Sequence, residues 1–166
     1  MSAAPAGLVP FAVGVVFAIV GCAGTRIEEG VFRGPNYRVT LPADWDVIAD
    51  GRADLALSQR TGGGAMLVNA TCEGRETGRP LDVLMRHLLF GLRDRRVVER
   101  DEMAVNGHPA ARALFEGSTD AGPVLGEAYV VKRAGCVYDL LYVAPTASFA
   151  EGREVFRRFV QSLEGP

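Results

Sequence analysis

Short segments in which apolar and polar residues alternate with a period of two predict β-strands in the first half of the chain. In YRVTLPADW, the alternation puts Tyr37, Val39 and Leu41 on one face of a strand. Pro42 ends this strand because proline has no N–H to donate to a strand ladder. The segments ADLALSQR and GAMLVNATC predict two further strands, joined by a glycine-rich turn at 62–64.

Four more strand candidates follow in the second half of the chain. RRVVERDEMAV and HPAARALFE flank Asn106-Gly107, which is the strongest short hairpin signal in the sequence. VLGEAYVVK and CVYDLLYVA flank a second turn, RAG, and the segment EGSTDAG before them is predicted to be a loop. The strand at 136–144 is apolar at nearly every position except Asp139, which predicts a central strand covered on both faces.

Two segments show the helical period instead. The first is PLDVLMRHLLFGL, at 80–92, whose apolar stripe comprises Leu81, Leu84, Met85, Leu88, Leu89 and Leu92. The second runs from about Ser148 to Leu163, and Ser148 and Glu151 have the spacing of a capping box. Its predicted buried stripe comprises Phe149, Val155, Phe156, Phe159, Val160 and Leu163.

This order of elements predicts an α+β fold, with a mainly antiparallel sheet of about six to eight strands covered by two amphipathic helices. The chain has 166 residues, of which 48% are hydrophobic and 23% are charged, as expected for a globular domain rather than a disordered chain. The net charge of −2 gives no reason to expect binding to nucleic acid.

The longest apolar run, LVPFAVGVVFAIVGCAG at 8–24, has three interpretations. A transmembrane helix needs about 20 apolar residues, and this run is shorter and contains Pro10. An ordinary secretory signal fits its length and the small residues near its end. The third interpretation, which the residues favour, is a lipoprotein signal. Ile19-Val20-Gly21-Cys22 resembles the bacterial lipobox, in which the cysteine thiol takes diacylglycerol.

The lipobox interpretation divides the chain into a signal peptide at 1–21, an acylated Cys22 with a polar tether at 22–30, and a globular domain at 31–166. The segment MSAAPAG before the apolar run contains no lysine or arginine, which departs from the usual pattern of such signals. The lipid would hold the protein on a membrane. Because Ala23 and not aspartate follows the cysteine, the resemblance favours the periplasmic face of the outer membrane, or the extracytoplasmic face in a single-membrane organism.

Three segments of the domain resemble the PsbP-like group of proteins. They are Y-x-V-x-L-P-x-x-W from Tyr37, V-N-G-x-P-A-x-R from Val105, and CVYDLLYVA from Cys136 before a terminal helix. The group includes DcrB-like and mycobacterial LpqN-like envelope lipoproteins. The resemblance implies an α/β/α sandwich and a mostly non-enzymatic role as an accessory or assembly protein that binds other proteins.

The two cysteines of the predicted domain are Cys72 and Cys136. The sequence has no C-x-x-C and no cysteine–histidine spacing typical of a zinc site. In an exported protein a disulfide between the two is favoured, because each lies at the end of a predicted strand and the compartment is oxidising. Two buried free thiols remain the alternative.

No pattern in the sequence predicts a catalytic residue, a metal site or a cofactor. His87 and His108 stand at no recognised spacing from a nucleophile, and there is no G-x-S-x-G. The carboxylates at 44, 46, 50 and 54 fail the calcium-loop pattern, because Ile48 and Ala49 occupy a ligand position and the glycine position. The arginines at 93, 95, 96 and 100 are the best candidates for an electrostatic docking patch.

We therefore expect a membrane-anchored envelope lipoprotein that acts as a non-catalytic accessory or protein-binding module, with a partner of unknown identity. The alternative is a carrier or sensor of a small apolar ligand, held in a pocket between the sheet and the helices. A closed core with exposed apolar residues would favour the first function. An apolar cavity of roughly 300 Å³ or more under the helix at 80–92 would favour the second.

Overall fold

The computed structural model describes residues 26–49 and 52–165. The strands are β1 Arg26–Glu28, β2 Val31–Arg33, β3 Arg38–Thr40, β4 Trp45–Ile48, β5 Leu55–Gln59, β6 Ala65–Thr71, β7 Arg93–Val105, β8 His108–Thr119, β9 Gly122–Arg133 and β10 Cys136–Pro145. The helices are α1 Leu81–Leu88 and α2 Phe149–Gln161, with a short 3₁₀ helix at Arg75–Gly78. None of the helices in the described ranges is long and apolar enough to cross a membrane.

Seven strands form the main sheet in the order β4-β5-β6-β10-β9-β8-β7, and every neighbouring pair is antiparallel. α1 covers one face of this sheet and α2 covers the other. The prediction of an α+β sandwich with a mainly antiparallel sheet and two covering helices is confirmed. The physical reason is that each helix has one apolar stripe, which it buries against one face of the sheet.

β10 occupies the centre of the main sheet, and both of its faces are buried. Tyr138, Leu140 and Tyr142 pack in the cluster that includes the apolar side chains of α2. Val137 and Leu141 pack in the cluster that includes the side chains of α1. The nearly continuous apolar sequence of this strand follows from that position, because neither face meets water.

A second, three-stranded sheet is formed by β1, β2 and β3. This sheet begins at residue 26, within the segment 22–30 that the sequence analysis predicts to be a polar tether. Ile27 of that segment pairs with the buried Phe32, which extends the strand ladder back to residue 26. The backbones of Arg38 and Glu164 exchange two hydrogen bonds of 2.8 and 3.0 Å, which tie this sheet to the segment after α2.

The two long hairpins close with residues in the left-handed region of φ. Asn106 and Gly107 have φ values of 52° and 78°, as a two-residue hairpin turn between β7 and β8 requires. The prediction that EGSTDAG forms a loop between β8 and β9 is wrong. Thr119 pairs with Gly122, so most of this segment belongs to the two strands and only a two-residue turn separates them.

The start of α2 also differs from the sequence prediction. Ser148 does not cap the helix with its side chain. Its hydroxyl instead donates a 2.6 Å hydrogen bond to the carbonyl of Gly62, in the turn between β5 and β6. The first turn of α2 is held by Tyr142, whose hydroxyl donates to the Phe149 carbonyl at 3.1 Å. Gly152 permits this close approach, since a Cβ there would lie 2.2 Å from the Tyr142 oxygen.

Cys72 and Cys136 form a disulfide that joins the end of β6 to the beginning of β10. The two residues lie next to the paired residues Thr71 and Val137 in neighbouring antiparallel strands. The bond therefore closes one end of the ladder that contains the central strand.

We predict that proteolysis of the unreduced protein releases one linked peptide pair that contains Cys72 and Cys136. The bond spans a sequence separation of 64 residues. On the chain-entropy model a loop of this size stabilises the fold by about 4 kcal/mol. The Cys72→Ser/Cys136→Ser variant should lower the free energy of unfolding, measured in urea, by up to that amount. Reactive thiols at both positions in denatured, unreduced protein would contradict the prediction.

Candidate functional site

Within the described part of the chain, the histidines, aspartates and arginines that the sequence singled out do not come together in one site. Cys22 and Asp50 lie outside the described residues. His87 is exposed on α1 and lies 3.4 Å from Glu76, measured from Nδ1 to Oε2. His108 opens β8, in the hairpin with β7. Within the described ranges, no group of three or more histidine, cysteine or acidic residues could hold a metal ion.

Two of the other aspartates of the failed calcium loop, Asp46 and Asp54, have local structural partners. Asp46 accepts a 2.9 Å hydrogen bond from Arg60 Nη2 across the β4–β5 pair. Asp54 accepts a 2.7 Å hydrogen bond from the backbone N–H of Ala70. These contacts fix the loop before β5 against its neighbours, so the carboxylates serve the fold rather than an ion.

The four arginines predicted as a docking patch are also occupied. Arg95 donates to the Leu89 carbonyl just after α1, and Arg100 donates to the Asp82 carbonyl at 2.7 Å. The other two form ion pairs, Arg93 with Asp120 and Arg96 with Glu116. Each of these arginines therefore contacts an acidic side chain or a backbone carbonyl, and the four do not form one positively charged surface.

A buried charge cluster, which the sequence analysis missed, links the sheet to α2. Glu127 on β9 is completely buried and contacts three guanidinium groups. Its carboxylate oxygens lie 3.2 Å from Arg112 on β8, and 3.0 and 3.2 Å from Arg153 and Arg157 on α2. The hydroxyl of Tyr129 adds a hydrogen bond of 3.4 Å. We call these five residues the Glu127 cluster.

One arginine of the Glu127 cluster also forms ion pairs with exposed carboxylates at the surface. Arg112 also pairs with Glu99 and Asp101 on the edge strand β7. Burial on its own would lower the pKa of Arg112, but these carboxylates and Glu127 raise it above the ordinary value. The ion pairs of the Glu127 cluster and of Arg112 therefore cross-link β7, β8, β9 and α2.

A second acid, Asp139, is partly buried on the α1 face of the central strand. Its neighbours across the ladder are Asn69 and Val130, and Val130 belongs to the core under α1. Among the described residues its Oδ1 atom has no hydrogen-bond partner. Burial and, to a lesser extent, the charge of Glu76 raise the pKa of Asp139 to about 6, while His87 acts in the opposite direction.

An open groove runs between α2 and the connection from β3 to β4. Its volume is about 760 Å³. The apolar residues that line the groove include Leu41, Trp45, Val155 and Phe159. The charged residues that line it are Asp44, Arg60, Glu151 and Arg158. Sites that hold small apolar ligands enclose most of the ligand surface. This groove is too open and too charged to enclose such a ligand.

The space under α1 is nearly filled. Leu84, Met85 and Leu89 pack against Ala113 and Phe115 of β8. The cavity that remains there has a volume of about 50 Å³. This value is far below the roughly 300 Å³ that a small-molecule pocket needs, because the leucine stripe of α1 reaches the sheet.

Several large apolar side chains nevertheless face solvent around this closed core. Phe90, directly after α1, is 85% exposed. Val97 and Val98 on β7 are 44% and 47% exposed, and Val47 and Ile48 on the opposite edge strand β4 are each 44% exposed. Exposed apolar side chains that adjoin one another mark surfaces where proteins associate.

Comparison with proteins of known structure identifies the fold of the domain. No protein-family model matches the sequence, and no curated protein sequence matches it. Solved structures do match. The cyanobacterial PsbP of Synechocystis sp. PCC 6803 superposes with a TM-score of 0.60 at 12% identity, covering 78% of this chain and 86% of that chain. The domain therefore has a PsbP-like fold.

Two other matches come from bacterial proteins. LpqN of Mycobacterium tuberculosis, described as involved in cell envelope biogenesis, has a TM-score of 0.58 at 13% identity, covering 80% of this chain and 86% of that chain. PA94 of Pseudomonas aeruginosa, a protein of unknown function described as a putative regulator, has a TM-score of 0.52 at 14% identity, covering 78% and 91%. At these identities the likeness concerns the fold alone.

We predict that Glu127→Gln destabilises the protein by roughly 3–5 kcal/mol, because three half-buried guanidinium groups lose the buried carboxylate charge that they share. Glu151→Gln, the same substitution at an exposed position on α2, is the matched control and should change stability by no more than about 0.5 kcal/mol. Unfolding in urea measures both. Equal stabilities for the two variants would show that the Glu127 cluster does not hold α2 on the sheet.

We also predict that ionisation of Asp139 destabilises the fold. Because its pKa is higher in the folded chain than in the unfolded chain, the folded state binds the proton more tightly, and stability falls as the pH rises from about 4 to about 6. The loss amounts to up to about 3 kcal/mol. Asp139→Asn should be more stable than the wild type at pH 7 and should lack this component of the pH dependence. Parallel stability–pH curves for the two proteins would refute it.

Proposed function

We propose that the chain is a membrane-anchored envelope lipoprotein whose folded domain acts as a non-catalytic accessory module that binds another envelope protein. The observation that carries the proposal is a core closed on both faces of the sheet, with apolar side chains exposed around it. Such a domain has apolar surface for a macromolecular partner and little enclosed volume for a small ligand.

The proposal of an anchor rests on the sequence around Cys22. Ile19-Val20-Gly21-Cys22 has the residue types of a lipobox, and β1 begins only four residues after the cysteine. A lipid at Cys22 would hold the domain close to the bilayer surface, since only a short segment separates the two. Two or three acyl chains anchor a protein stably, at about 0.8 kcal/mol for each buried CH₂ group.

The proposal of an envelope role draws on the fold. LpqN, which shares the fold, is described as involved in cell envelope biogenesis. The buried charges of the present chain support a non-catalytic role, because the Glu127 cluster pairs its carboxylate with arginines that join structural elements. Among the described residues, Phe90 is the most exposed of the large apolar side chains, and aromatic residues often anchor protein interfaces.

Mass spectrometry of the mature protein from membranes tests the anchor. We expect the mature N-terminus to be Cys22 with diacylglycerol attached, and we expect the Cys22→Ser variant to lose both the lipid and its retention in the membrane fraction. Thr146→Ala, which removes an exposed hydroxyl far along the chain, is the control and should be processed normally. An unmodified N-terminus at another residue would contradict the lipoprotein proposal.

Crosslinking in intact cells, followed by affinity capture from membranes, tests the binding role. We expect the wild type to recover the same envelope protein reproducibly and Phe90→Ser to recover less of it. Ile48→Ser removes an exposed apolar side chain from the opposite edge of the sheet and should not reduce recovery. If no protein is recovered reproducibly, or if both variants behave like the wild type, the proposed role of Phe90 as an anchor is wrong.

A further inference from the structure

The strand β7 forms a long exposed edge of the main sheet. It pairs with β8 on one side and is the last strand in the sheet order, so its outer backbone groups have no strand partner within the described ranges. Every residue from Arg93 to Ala104 is exposed. An unpaired edge of this length is a template for pairing with a further strand.

An irregularity in β7 decides which side chains lie on each face of that edge. The register with β8 shifts between Arg93 and Arg96 and again between Val97 and Glu99, and the second shift, which is the irregularity meant here, accommodates one extra residue. Without this shift, Arg95 and Glu102 would lie on opposite faces, because seven positions separate them in a strand with a period of two. With it, Arg95 reaches the Leu89 carbonyl on the α1 face, and Glu102 pairs with Ala111, which belongs to the core under α1.

The α2 face of the edge has a matching arrangement. Arg96 pairs with Glu116, whose neighbour Phe115 points to the α1 core, so Arg96 and Glu116 lie on the α2 face. Asp101 contacts Arg112 of the Glu127 cluster and lies on the same face. Each face of the edge thus presents an arginine before the irregularity and an acidic residue after it.

From this pattern we propose that β7 pairs antiparallel with β7 of a second copy of the chain, about a two-fold axis between Val98 and Glu99. In this register Arg95 lies opposite Glu102 of the second copy on the α1 face. Arg96 lies opposite Asp101 on the α2 face. The two-fold axis repeats both contacts, so the main sheets of the two copies join into one continuous sheet.

Neighbouring registers lack this complementarity. Shifting the pairing by two residues in one direction keeps an attractive pair on the α2 face, where Arg96 would lie opposite Glu99. On the α1 face, however, it places Arg95 opposite Arg100, and like charges directly opposite each other destabilise a strand pair. A shift by two in the other direction places Arg96 opposite Met103 and Arg95 opposite Ala104. A shift by one residue opposes side chains from different faces. Charge complementarity on both faces therefore selects one register.

Glu102 and Val98 have side chains that are available for such an interface. Glu102 forms no ion pair or hydrogen bond with another side chain in the described part of the chain. Arg95 contacts a neutral carbonyl and no acid there. Pairing in the proposed register would give both charges a partner and would cover the exposed Val97 and Val98. The inference does not depend on the lipid at Cys22 or on the partner bound through Phe90.

Sedimentation velocity of the full chain, purified in detergent over a range of concentrations, tests the proposal. We expect a monomer–dimer equilibrium. Val98→Asp places an acid opposite Glu99 of the second copy and should weaken the dimer by about tenfold or more. Val47→Asp makes the same change at similar exposure on the opposite edge strand and should dimerise like the wild type.

The charge pairs give a more specific test. Glu102→Arg should weaken the dimer by about tenfold, since it opposes Arg95, and the double variant Arg95→Glu/Glu102→Arg should restore it. Circular dichroism checks that each variant is folded. Raising the salt from about 0.05 M to about 0.5 M should weaken the wild-type dimer, because it screens exposed charges. A monomeric wild type, equal effects of the two valine variants, or a folded double variant that stays monomeric would overturn the proposal.

Discussion

The burial of β10 on both faces is the constraint from which the rest of the architecture follows. A strand that is apolar on both sides leaves two surfaces to cover, and one helix covers each of them. Leu84 and Met85 of α1 lie on one side, and Phe156 and Phe159 of α2 lie on the other. β7, the last strand of the main sheet on one side, lies away from this centre and is exposed along most of its length. The arrangement that closes the core thus leaves one long edge free to associate.

The Glu127 cluster adds an electrostatic requirement to this apolar core. Apolar contact alone leaves a helix some freedom to slide and rotate on a sheet. A buried carboxylate between Arg112 on the sheet and Arg153 and Arg157 on α2 restricts that freedom, because any displacement leaves charges buried without partners. The same network reaches β7 through Asp101, so the position of α2 and the charges of the exposed edge are physically connected.

Features that depend on neighbours in sequence could be predicted, and features that depend on distant residues could not. The apolar period located α1 and α2, and Asn106-Gly107 located a hairpin, because each signal is contained in a few consecutive residues. Glu127 appeared as one acid in an apolar strand, and nothing local indicated that β8 and α2 would supply arginines to it. Ser148 had the spacing of a cap, but its hydroxyl does not accept from the first turn of the helix and instead donates to the carbonyl of Gly62, in a turn far away in sequence. The strand through Ile27 depends in the same way on its partner Phe32.

Residue-resolved hydrogen exchange tests most directly the claim that a doubly covered central strand organises the domain and leaves β7 as its association surface. In dilute protein, the amides of β10 should exchange only through global unfolding, whereas amides along β7 should exchange orders of magnitude faster. In concentrated protein, amides between Arg95 and Glu102 should become protected while those of β4 do not change. Slow exchange of β7 in the dilute monomer, or fast local exchange of β10, would contradict the account.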